Sequence, residues 1–154
     1  MLTLAVLPAD IKGRGTLSRA CNSEALQWSA AMDFDQAIGI HSRWKHRLRT
    51  SLAKHDFSLN PAEVSLDHKC ELGQWIYSAG ARFSDFPEFA KLKYEHARFH
   101  LAAAGLVRKA HSGESIEAEI APCSNSEFSL ASAAVVIALR AMKKRVSERQ
   151  AVPS

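Results

Sequence analysis

The chain has 154 residues, 47% of them apolar, which suits one domain with a real core. Its net charge of +4 is mild, and apart from Lys143, Lys144 and Arg145 the basic residues are scattered, so the composition argues against a nucleic-acid partner. Cys21, Cys70 and Cys123 are odd in number and far apart, unlike a disulfide framework, and Pro8 cuts the opening apolar run too early for a signal core or membrane span; a cytoplasmic protein with no membrane partner is expected.

Residues 1–31 carry no clear period and are expected to be a disordered or weakly structured extension, or translation from an upstream start before Met32. Asp33 then offers a cap, and Phe34, Ala37, Ile38, His41, Trp44, Leu48 and Leu52 recur three or four apart. This spacing predicts a long amphipathic helix with His41 on its inner stripe. Asn60, Pro61 and Glu63 can start a new turn.

A second helix is expected over about 67–79, with Cys70 in its first turn, Leu72, Trp75, Ile76 and Ala79 on its stripe, and Gly80 as a left-handed stop. A third runs from the capping signal at Ser84–Glu88 through Phe89, Leu92, His96, Phe99, His100, Ala103 and Leu106, ending at His111-Ser112-Gly113. A short helical piece around 114–120 precedes a last helix over about 127–149, rich in Ala, Val and Leu. With no alternation long enough for a sheet, the expected class is all-α: an up-and-down four-helix bundle over residues 32–149, a short extra helical segment before the last helix, and a tail at 150–154.

Within this frame His41, Cys70, His96 and His100 all fall in helical segments. His96 and His100 are spaced i, i+4, so both rings leave one helix face. One thiolate and three imidazoles are the ligand types and number that enclose a tetrahedral zinc ion. Spacing alone leaves packed, hydrogen-bonded core histidines as the alternative. Asp67 is either a partner for a ligand ring N–H or a helix cap. His46, His55, His68 and His111 are expected on wet faces, and Trp44 and Trp75 as core wall.

The runs His41-Ser42-Arg43-Trp44, Cys70-Glu71-Leu72-Gly73-Gln74-Trp75 and His96-Ala97-Arg98-Phe99-His100 resemble the chemoreceptor zinc-binding (CZB) domain of bacteria. The resemblance covers about residues 33–143. It implies a four-helix bundle holding one zinc through His41, Cys70, His96 and His100. It further implies a sensor or regulator that is often a homodimer and acts on signalling proteins such as chemoreceptors and diguanylate cyclases. The chain has no length for a coiled-coil signalling segment or a cyclase, so the partner is expected in another chain. Cys70, a zinc-held thiolate near a helix start, is the expected redox-sensitive sulfur, with hypochlorous acid as the test oxidant.

Two other readings stand beside this one. A purely structural zinc could hold a dimeric interaction module together, with the apolar last helix as its contact face. A hemerythrin-like di-iron protein would need bridging carboxylates and more histidines. Four protein ligands leave zinc no vacancy for water, so no enzyme is expected.

Overall fold

The structure, a computed structural model, describes residues 33–56 and 58–151. The expectations for residues 1–31, Cys21 among them, lie outside the described residues.

The described chain is all-helical. It contains α1 (Phe34–Ala53), α2 (Pro61–Val64), a 3-10 turn at Asp67–Lys69, α3 (Glu71–Ile76), a 3-10 turn at Ala79–Phe83, α4 (Pro87–His111), α5 (Glu117–Ile120) and α6 (Glu127–Ala151). Each start has a local cause. Asp33 Oδ1 accepts from the amides of Asp35 and Gln36 and closes the first turn of α1. Asn60 does the same for α2 through the amide of Ala62, with Pro61 in the first position, where its missing N–H costs nothing. Pro87 opens α4, and Gly113, at φ 78°, follows its end in the left-handed region open to glycine.

Three long helices form the frame. The pairings Glu88 with Arg145 and Phe99 with Phe128 run in opposite senses along α4 and α6, so these two are antiparallel. The pairings Asp35 with Lys143 and Lys45 with Phe128 set α1 antiparallel to α6 as well. The remaining side is built from α2, the turn at Asp67–Lys69, and α3. Phe99, Phe128, Leu92, Leu139 and Met142 are fully buried between the long helices.

The expected second helix is corrected here. Instead of one helix over 67–79, the chain makes a six-residue α3 flanked by two 3-10 turns, and Cys70 stands before α3 as its cap. The reason is tight packing at two glycines. A side chain on Gly73 would meet the backbone of Asp67 and His68, so the turn and α3 are folded against one another. Gly80 is not a left-handed stop; it sits under Trp75, whose carbonyl oxygen and indole ring lie 2.8 and 3.0 Å from where a Cβ would be.

The last helix is less uniformly covered than its composition implies. Val135, Ala138, Leu139 and Met142 are buried, whereas Leu130 and Ile137 are 53% and 66% exposed and thus form a bare outer stripe. Among the described residues no helix is long and apolar enough to cross a membrane.

Candidate metal centre

Cys70 sits between the 3-10 turn and α3 in an extended conformation, with φ −78° and ψ 161°. Its sulfur accepts the amide hydrogen of Gly73 at 3.3 Å, which takes up one of the free amides at the helix start. The same sulfur lies 3.2 Å from His96 Nε2. Helix α4 brings His96 and His100 to one face, their ring centroids 4.8 Å apart. Ligand atoms of Cys70, His96 and His100 all fall within 4.8 Å of one another.

The rings are turned to offer Nε2. His100 Nδ1 donates to the carbonyl of Val64 at 2.7 Å, which leaves Nε2 with a free lone pair. His96 Nδ1 is buried with no hydrogen-bond partner and lies 3.9 Å from a carboxylate oxygen of Asp67. That carboxylate is itself fixed by the Tyr77 hydroxyl, which donates to it at 2.8 Å. Asp67 is therefore not the helix cap; it faces a ligand-type ring on the side away from the sulfur. Such outer carboxylates orient metal-binding imidazoles.

His41 lies in the wall of the same cavity as Cys70, His96 and His100, its ring 4.5 Å from that of Phe99. It does not join the compact group of three. Its Nε2 is hydrogen-bonded to Ser132 Oγ of α6 at 3.1 Å. Trp44 closes the cavity beside His100 at 5.1 Å, and Trp75 is core wall at 4% exposure. His46, His55, His68 and His111 are exposed, and so is Cys123.

The donor set fits zinc. With Zn–S of about 2.3 Å and Zn–N of about 2.0–2.1 Å, a tetrahedral ion needs donors spaced at about 3.3–3.6 Å. The 3.2 Å between Sγ and Nε2 is near that edge length. One sulfur with imidazoles also favours zinc over oxygen-seeking cations.

Burial sets the charge of these groups. It pushes His41 down to about 3, holds His96 well below the ordinary histidine value, and lowers His100; the neighbouring His100 adds repulsion at both His41 and His96. Burial pushes the Cys70 thiol up to about 11. All four groups are thus neutral near pH 7.

A stability prediction follows for the metal-free protein. Between about 6.5 and 3 the unfolded chain takes up more protons than the folded one, because folded imidazoles resist charging; stability is present above about 6.5 and lost as pH falls. Between about 9 and 11 the folded thiol keeps a proton that the unfolded one gives up, so stability is lost again as pH rises. Chemical denaturation across pH should give a plateau between about 6.5 and 9, with an acid loss of order a few kcal/mol. A flat profile from 7 down to 4 would contradict the neutral, buried histidine cluster.

Three contributors were not named by sequence reasoning: the Val64 carbonyl, Tyr77 and Ser132. Each reaches the site from another element, and no local spacing announces it.

Residues 41–107 fit the family model of the chemoreceptor zinc-binding domain, a zinc-binding domain. No curated protein and no solved structure matches the chain.

Proposed function

We propose that this chain, whose residues 41–107 carry the chemoreceptor zinc-binding domain, is a zinc-dependent regulatory protein holding one ion through Cys70, His96, His100 and His41. The observation that carries this reading is the convergence of Cys70, from the start of α3, with His96 and His100 of α4, the Nδ1 of both rings turned away. Bound zinc would supply charge that holds Cys70 as thiolate and ties α1, α3 and α4 together. We take the domain as an up-and-down bundle in which α2, the turn and α3 form the second side. Metal analysis of purified protein tests the reading. One zinc per chain is expected; two irons, or no metal taken up from micromolar zinc, would end it.

Asp67 orients His96 in this reading. Asp67→Asn should lower zinc affinity about tenfold to a hundredfold, measured by competition with a chromogenic chelator. Tyr77→Phe, which frees the same carboxylate, should have a smaller effect in the same direction. An unchanged affinity in Asp67→Asn would remove Asp67 from the site.

The regulatory signal we assign to Cys70 is oxidation. A thiolate and hypochlorous acid give a sulfenic acid and chloride, and the oxidised sulfur is a poorer ligand that also caps α3 less well. Peptide mapping after treatment of the zinc-loaded protein should place the modification on Cys70. Oxidation confined to Cys123 or Cys21 would instead favour the second reading, structural zinc, which the partial burial of Cys70 supports.

The output we assign is contact with signalling proteins through a homodimer. Leu101 on α4 and Leu130 and Ile137 on α6 are large, apolar and more than half exposed, as an interface requires. Light scattering should give a dimer for the wild type and a monomer for Ile137→Asp. A monomeric wild type would end the dimer.

A further inference from the structure

His41 and Ser132 are 91 residues apart in sequence, on α1 and α6, and both are buried, at 4% and 3% exposure. Their 3.1 Å bond is a long-range polar link between the cavity wall and α6. It engages Nε2, the nitrogen that His96 and His100 leave turned toward the cavity. The two partners are not equally dependent on it. A serine within a helix can turn its hydroxyl to the carbonyl four residues back, here that of Phe128. A buried imidazole that loses its hydrogen-bond partner bears the full cost of an unsatisfied polar nitrogen, and the ring packed 4.5 Å from it, that of Phe99, is apolar.

The geometry points to Ser132 as a positioning residue that competes with the cation for His41 Nε2. His41 has two mutually exclusive partners: Ser132 when Cys70, His96 and His100 stand alone, and the ion when the fourth position is filled. Cation occupancy is thereby registered on α6 as the loss of one interhelical bond. The inference rests on the zinc reading and deepens it, since it names the element that senses whether the ion is held.

Removing the competitor raises affinity. Ser132→Ala leaves His41 Nε2 unpartnered in the metal-free state only, so zinc should bind about fivefold to tenfold more tightly than to the wild type, by chelator competition. Melting of the metal-free variant should fall while that of the zinc-loaded variant stays at the wild-type value. In a His41→Gln background the Ser132→Ala change should leave zinc affinity unaltered, and this comparison serves even if the single variant is too unstable to titrate without metal. Ring-nitrogen NMR of the wild type should show zinc moving the Nε2 resonance of His41. A fall in affinity in Ser132→Ala, or a zinc shift at His41 Nδ1 instead, would overturn the competition and make Ser132 a simple support for the ligand. Absence of zinc binding by the wild type would instead sink the zinc reading itself.

Discussion

Replacing Cys70 with serine should lower zinc affinity about 10²- to 10³-fold while leaving the metal-free fold nearly as stable as before. Four-ligand structural zinc sites bind with roughly 10–16 kcal/mol, so a quarter share is about 2.5–4 kcal/mol. Serine has no accessible anion at neutral pH and offers a hard oxygen in place of sulfur. It is also among the best residues at a helix start, so it can still accept the Gly73 amide that Cys70 Sγ takes at 3.3 Å. The variant therefore separates the two roles of the cysteine. Chelator competition and circular dichroism melting of the metal-free form check it together. Retained affinity would refute ligation by Cys70, and collapse of the metal-free fold would mean that the sulfur matters chiefly as packing.

Gly73→Ala should be damaging in a different way, costing at least about 3 kcal/mol of stability and most of the zinc affinity together. A Cβ there would lie 2.7 Å from the carbonyl carbon of Asp67 and 2.9 Å from the Cα of His68, and closer still to the Asp67 oxygen. All are main-chain atoms, with no rotamer to relieve them. Relief requires the turn at Asp67–Lys69 to move off α3, which separates Asp67 from His96 and shifts Cys70. Gly105→Ala provides the control. Its nearest neighbour is the flexible end of Arg108 at 3.8 Å, so alanine in that helix should stabilise by about 0.5–1 kcal/mol. Urea unfolding and zinc titration of both variants check the pair, and a harmless Gly73→Ala would show that the turn is not locked.

These two positions also mark how far the sequence could be read. The long helices α1, α4 and α6 were legible because burial of one face imposes a 3.6-residue period, and Asp33, Pro87 and Gly113 punctuate it. The pairing of His96 with His100 was legible for the same reason, since one helix places both. The segment around Cys70 was not, because its shape is set by a main-chain contact between Gly73 and Asp67 that a periodicity argument does not contain. Ser132 and Val64 were illegible as partners because each meets its histidine only after α2 and α6 have docked. His41 was legible as inward-facing, while its bond to Ser132 was not.

The grip of Val64 on His100 carries a lesson for reshaping the chain. A ring that takes its bearing from the last residue of a four-residue helix inherits the position of that helix, and that helix hangs on the connection after α1. Lengthening or shortening residues 54–60 by even one would move the Val64 carbonyl and with it the imidazole it orients. Natural or designed relatives that differ in that connection should therefore show altered metal retention despite an untouched ligand set.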